Sequence, residues 1–262
     1  MPEGDTIHKI ANWMAPRLTE DTLRSVTLAG AQDASQCRGR RVSGVRAVGK
    51  HLFIELDNNK ALRSHLGMYG SWHFYGNGER WKKPRWQASI VLETATCTYV
   101  CFNARDVEVV ASPSVRERII DSRLGPDLIR DSVDAKALAA RALAMLDSDD
   151  LIGDALLDQR VAAGIGNVYK SEVLFIEGLH PDRTLGSVAA ENLAACFRLA
   201  AKLLRNNLGG GKRVTRPNGD GAGRLWVYGR SGLPCLKCDT PVSYRRLGRH
   251  HRGTYWCVEC QE

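Results

Sequence analysis

The sequence predicts an α+β multidomain chain, and three observations carry that expectation. Residues 23–110 are a succession of short apolar runs separated by turn signals. From about residue 135 the pattern changes to Ala- and Leu-rich stretches of helical period. The chain then closes on two tight cysteine pairs, Cys235/Cys238 and Cys257/Cys260, with 18 residues between the pairs. The 262 residues suit one large or two ordinary domains plus a small module, and 44% hydrophobic content supports a packed core.

The first element is a helix over 6–17, where Ile7, Ile10, Ala11 and Met14 recur at helical spacing. Runs such as Val42–Val48, His51–Leu56, Ser89–Leu92 and Tyr99–Phe102 then read as strands. Turn signals such as Asp57-Asn58-Asn59 and Gly76-Asn77-Gly78 separate them, so a β-sandwich is expected. The Pro- and Arg-bearing stretch near 112–133 reads as a linker. Helices are expected over Ala135–Leu146, 151–158, 167–177 and 187–207. Before the third of these stands Gly164-Ile165-Gly166-Asn167, a tight turn opening onto a helix N-terminus. Such a turn either presents free N–H groups to an anion or is an ordinary capped turn. The glycine-rich, basic segment 209–223 reads as a mobile connector to a final module over 224–262. The expected domains are therefore 1–118, 119–223 and 224–262.

The terminal cysteines have the spacing of a tetrahedral zinc site, with room for a β-hairpin between the pairs. Two disulfides are the alternative, and they need an oxidising compartment. The chain starts without a cationic segment followed by an apolar one, and it has no membrane-spanning apolar run. A reducing, cytoplasmic setting is expected, which favours one structural zinc ion on Cys235, Cys238, Cys257 and Cys260. Cys37, Cys97, Cys101 and Cys196 are scattered, and the middle two read as small apolar strand residues.

Net charge is +8, and it is concentrated at the end of the chain. From Arg205 onward eleven Lys/Arg stand against four Asp/Glu, a net of +7, leaving about +1 for the first 204 residues. Such asymmetry suits a phosphate-bearing partner.

Seven segments complete the reading. M-P-E-G-D-T-I-H (1–8), G-K-H-L-F (49–53), S-H-L-G-M-Y-G (64–70) and R-L-G-P-D (123–127) come first. D-Q-R-V-A-A-G-I-G-N-V-Y-K-S-E (158–172), V-Y-G-R-S-G-L-P-C (227–235) and R-G-T-Y-W-C-V-E-C-Q (252–261) follow. In this order they resemble the formamidopyrimidine-DNA glycosylase and endonuclease VIII family, over the whole chain and closer to the endonuclease VIII branch. The resemblance implies an N-terminal β-sandwich with flanking helices, a helix–two-turns–helix domain and a zinc-finger hairpin, with damaged double-stranded DNA as partner. It implies a monomeric DNA glycosylase and abasic-site lyase that uses Pro2 as a Schiff-base nucleophile once Met1 is removed. Glu3 is then the proton donor to the sugar, and Lys50, the family's strand lysine, assists β-elimination. Arg252, five residues before Cys257, contacts phosphate and assists δ-elimination. Asn167 and Arg123 are implied DNA contacts. Gly67, Met68 and Tyr69 belong to a loop that fills the hole left by a flipped base, or that otherwise simply packs in a turn.

One departure bears on substrate. Where the formamidopyrimidine branch carries a second wedge with two arginines and a phenylalanine, this chain has Asn103-Ala104-Arg105-Asp106-Val107. Oxidised pyrimidines are therefore the expected substrates, with oxidised purines and a non-catalytic damage-binding role as the alternatives.

Overall fold

The computed structural model describes residues 1–31, 33–111, 124–216 and 221–262. The chain divides into two compact units, Met1–Arg123 and Leu124–Glu262. The expected boundary at 118/119 lies outside the described residues.

In the first unit, helix α1 spans Gly4–Leu18 and buries Ile7, Ala11, Met14 and Leu18, one stripe of a helical surface. Eight strands follow: β1 (Ser25–Leu28), β2 (Val42–Val48), β3 (His51–Leu56), β4 (Lys60–His65), β5 (Ser71–Gly76), β6 (Ala88–Glu93), β7 (Cys97–Phe102) and β8 (Asp106–Ala111). They form two four-stranded antiparallel sheets, ordered β1-β6-β7-β5 and β2-β3-β4-β8. The expected sandwich is thus present. Its core joins Leu28, Ile90, Leu92, Tyr99 and Cys101 to Leu52, Ile54, Leu56, Leu62 and the buried face of α1. A second apolar cluster, Tyr75, Val100 and Phe102, is covered by Trp81 from the β5–β6 loop.

The second unit carries α2 (Ala135–Met145), α3 (Ile152–Leu157), α4 (Asn167–Ile176) and α5 (Ala190–Asn206). Asp134 caps α2 by accepting the Lys136 and Ala137 N–H groups at 2.9 and 3.1 Å. The last helix starts three residues later than expected, because Leu185–Ser187 forms a separate 3₁₀ turn. Helix α4 is buried along nearly its whole length, from Asn167 to Phe175, and α3 and α5 pack against it. Two strands, β9 (Ser243–Leu247) and β10 (Arg252–Trp256), form the terminal hairpin.

Part of the connector expected to be mobile is tied down. The Val214 N–H donates to Asn207 Oδ1 and the Val214 carbonyl accepts from Asn207 Nδ2, both at 2.8 Å. The Thr215 hydroxyl donates to the buried Glu172 carboxylate, which also accepts the N–H groups of Trp226, Val227 and Tyr228 at 2.8–2.9 Å. Four donors satisfy one buried carboxylate and fasten the start of the last module to α4.

Candidate functional site

Pro2 and Glu3 stand at the head of α1. Pro2 is half-buried and Glu3 is 0% exposed. The Glu3 carbonyl caps the helix, accepting the Thr6 and Ile7 N–H groups at 2.9 and 3.1 Å. Its carboxylate makes no capping bond to the helix and lies at the positive end of the helix dipole. Helix α1 packs on β2 and β3, the two strands joined by the turn that carries Lys50.

The turn lies between the expected runs Val42–Val48 and His51–Leu56, so Lys50 is not inside a strand as the resemblance alone implied. Val48 pairs with His51, so Gly49 and Lys50 are the two loop residues of a hairpin. Gly49 has φ 55° while Lys50 keeps an ordinary φ, the pattern of a turn that needs glycine first. A turn tip lets the lysine reach away from the sheet, which a position within a strand would not.

His51 in β3 pairs with His65 in β4, their rings 5.0 Å apart. Buried Arg63 approaches His51 Nδ1 at 2.9 Å and also pairs with Asp106 and Glu108. A guanidinium only donates, so His51 Nδ1 must accept and the ring is neutral. Burial, the second imidazole and Arg63 push the His51 pKa down to about 3. Burial, Lys50 and Arg105 push that of His65 down to about 4. Next in sequence is the loop Leu66–Gly70. Gly67–Tyr69 form a turn, but Met68 is half exposed and Tyr69 is 77% exposed, so neither is a core residue. Gly67 has φ 63°, and a Cβ there would lie 2.8 Å from the Arg105 side chain. The structure therefore brings Lys50, the 66–70 loop and Arg105 to one end of the β2-β3-β4-β8 sheet.

In the second unit, Asn167 is the first residue of α4, where the helix expected over 167–177 begins, with Gly166 in the extended cap position. Its Nδ2 donates to the Gly253 carbonyl at 2.6 Å, which leaves a second N–H on the same nitrogen. Its Oδ1 is buried without a hydrogen-bond partner. One turn further, Lys170, 2% exposed, donates to the Thr254 hydroxyl at 2.6 Å. Both contacts grip β10 directly after Arg252, so α4 and the Arg252 strand are joined. Arg252 itself opens β10 opposite Leu247. Arg123 lies outside the described residues.

Beyond the hairpin the four cysteines converge, their sulfurs all within 4.8 Å of one another. Cys235–Cys260, Cys238–Cys257 and Cys238–Cys260 are separated by 3.9, 3.4 and 3.4 Å. None of the four is bonded to another and all four sulfurs share one cluster, which supports a metal site over two separate disulfides. Four thiolates about 2.3 Å from a central zinc ion lie about 3.8 Å from one another, so these residues fit a tetrahedral thiolate site. Burial and the neighbouring sulfurs push the Cys257 and Cys260 thiols up, whereas hydrogen bonds from Thr240 bring Cys238 down to about 6. The cluster could hold a metal ion.

The Formamidopyrimidine-DNA glycosylase N-terminal domain matches residues 1–111, and the Formamidopyrimidine-DNA glycosylase H2TH domain matches residues 124–217. The chain belongs to the formamidopyrimidine-DNA glycosylase/endonuclease VIII family. Within that family it is 36% identical to the probable endonuclease 8 2 of Streptomyces coelicolor, covering 100% of this chain and 94% of the relative. It is 34% identical to the DNA-(apurinic or apyrimidinic site) lyase Nei2 of Mycolicibacterium smegmatis, covering 100% and 99%. These relatives support the endonuclease VIII branch. The fold is also that of Lactococcus lactis Fpg in complex with abasic-site DNA, with a TM-score of 0.84 at 21% identity over 100% of both chains.

Sequence reasoning about the family motifs assigned no role to the His51–Arg63–His65 group, Lys170 or Glu172. For the last two a signal was present: two charged residues inside an otherwise apolar helical run must find buried partners. Their partners lie 84 and 43 residues away, at Thr254 and Thr215, beyond the reach of any periodicity.

Proposed function

We propose that this protein is a base-excision repair DNA glycosylase and abasic-site lyase acting on oxidised pyrimidines in double-stranded DNA. The observation that carries the reading is the fully buried Glu3 carboxylate next to Pro2, at the head of a helix, in a member of this family. Removal of Met1 makes Pro2 a secondary amine with a reference pKa of about 8. Its nitrogen lone pair attacks C1′ of the damaged nucleotide, the base leaves, and Glu3 protonates the sugar ring oxygen as the ring opens. The product is an iminium between Pro2 and C1′. It withdraws electrons from C2′, whose proton is lost, and the 3′ phosphate departs by β-elimination. Lys50 serves as proton donor there. Arg252, whose guanidinium can grip a phosphate in two places, assists departure of the 5′ phosphate by δ-elimination.

Asn167 offers its remaining N–H to a backbone phosphate, Gly67, Met68 and Tyr69 fill the gap left by the flipped base, and Arg123 adds a further contact. Zinc on Cys235, Cys238, Cys257 and Cys260 would supply a rigid crosslink with no position open to water. The expected parts 1–118, 119–223 and 224–262 then divide the work into chemistry, strand binding and phosphate capture. The relatives' names support a lyase, and the single arginine at 103–107 favours pyrimidines.

Borohydride reduction in the presence of abasic-site duplex tests the chemistry. A covalent protein–DNA adduct is expected, and it should vanish when residues are added before Pro2. No adduct with the native N-terminus, with intact mass showing Met1 removed, would sink the lyase assignment. Comparing excision of thymine glycol with that of 8-oxoguanine tests the pyrimidine preference.

A further inference from the structure

The loop between β5 and β6 is strongly basic. Residues 79–87 read Glu-Arg-Trp-Lys-Lys-Pro-Arg-Trp-Gln, four cations against one acid. Among the described residues, none of Arg80, Lys82, Lys83 and Arg85 enters an ion pair. Glu79 is exposed and accepts the Gly76 N–H at 2.9 Å. The loop is nevertheless pinned. Trp81 stacks on Tyr75 with ring centroids 6.1 Å apart, and the Arg85 guanidinium lies 4.8 Å over its ring. The Lys82 N–H donates to the Tyr75 hydroxyl at 3.1 Å, and Lys83 donates to the Ser71 hydroxyl at 2.9 Å.

Trp86 is the exception, 80% exposed. Its backbone is held on both sides: Gln87 N–H donates to the Pro84 carbonyl at 3.1 Å, and Asn103 donates through its backbone and side chain to Gln87 at 2.9 and 3.2 Å. A single exposed apolar side chain needs no explanation by itself. An indole fixed in solvent among unpaired cations is a different case. Cations alone suit any phosphate backbone, but a free aromatic face gains nothing from duplex DNA, whose bases are already stacked. It gains when a base is unpaired, because every base has a face to stack.

We propose that residues 79–87 form a docking surface for unpaired DNA strand, with a nucleobase stacked on Trp86 and phosphates held by Arg80, Lys82 and Arg85. The inference relies on the proposed function only for DNA as the polymer. It assigns the enzyme an affinity for gapped, frayed or bubbled substrate beside its duplex site.

Fluorescence anisotropy with undamaged oligonucleotides tests it, comparing a single strand with a blunt duplex. Trp86→Ala should weaken single-strand binding about tenfold and leave duplex binding within about twofold. Trp86→Phe should restore most of the loss. Arg80→Gln with Lys82→Gln should reduce the salt slope for single strand by about 0.7 per cation removed. Equal losses on both forms, loss on duplex alone, or no loss on either would overturn the proposal. Borohydride trapping of Trp86→Ala on blunt abasic duplex separates this from the proposed function. Wild-type-level adduct with unchanged single-strand binding ends the docking surface alone, whereas a wild-type protein that forms no adduct ends the lyase alone.

Discussion

Glu3 has the most constrained position of any proposed catalytic residue. It is fully buried, its carbonyl is spent on the helix, and its carboxylate makes no capping bond. Glu3→Gln keeps the shape and removes the proton. Base excision from a damaged duplex should fall by about 10²- to 10⁴-fold, the usual contribution of a positioned general acid. Trapping on a pre-formed abasic site should suffer much less, since that base has already gone. Comparable losses in both assays would assign Glu3 a structural role instead. The neighbouring imidazoles make a second prediction. His51 and His65 titrate near 3 and 4 in the folded protein, against about 6.5 when unfolded. Below about pH 6.5 the unfolded chain binds protons that the folded chain refuses, so stability present at neutral pH is lost as pH falls toward 4. Denaturant midpoints measured across that range should fall more steeply for wild type than for His51→Gln.

At the scale of elements, the sandwich strands were legible because each alternates or runs apolar between Gly-, Asn- and Asp-bearing turns. Helix α1 was legible for the same reason, through Ile7, Ala11 and Met14. Local pattern also located the cysteine cluster. It left Gly49 and Lys50 between two expected strands but could not show that those strands pair as a hairpin, which the Val48–His51 pair establishes. Nor could it show that α4 holds the hairpin, since Lys170 and Thr254 are brought together only by tertiary packing. That contact carries a prediction of its own. Lys170→Met should destabilise the protein by about 1–3 kcal/mol, because the buried Thr254 oxygen loses the charged donor it accepts from and keeps only its own donation to the Arg252 carbonyl at 3.1 Å. The loss should be read in urea unfolding, and amide exchange at Gly253–Trp256 should quicken more than in the β2-β3-β4-β8 sheet. Uniform quickening in both would mean that the bond does not act on the hairpin.

For the whole molecule, charge is the property that local structure does not determine. The net of +7 after Arg205 overstates what can meet phosphate. Arg245 is paired with Asp182 and Arg249 with Asp150, Arg216 is buried over Trp226, and Lys237 lies over Phe175 and Trp226. Arg246 and Lys212 are exposed and enter no ion pair among the described residues. Each phosphate neutralised on duplex DNA contributes about 0.9 to the slope of log affinity against log salt. Arg246→Gln and Lys212→Gln should therefore each flatten that slope by up to about 0.9. Arg245→Gln should change it little, because Asp182 already balances its charge and screening of such an exposed pair costs little. If Arg245→Gln flattens the slope as much as Arg246→Gln, the Asp182 pair opens when DNA binds, and the basic stretch acts as a field of mobile charge rather than as individually placed contacts.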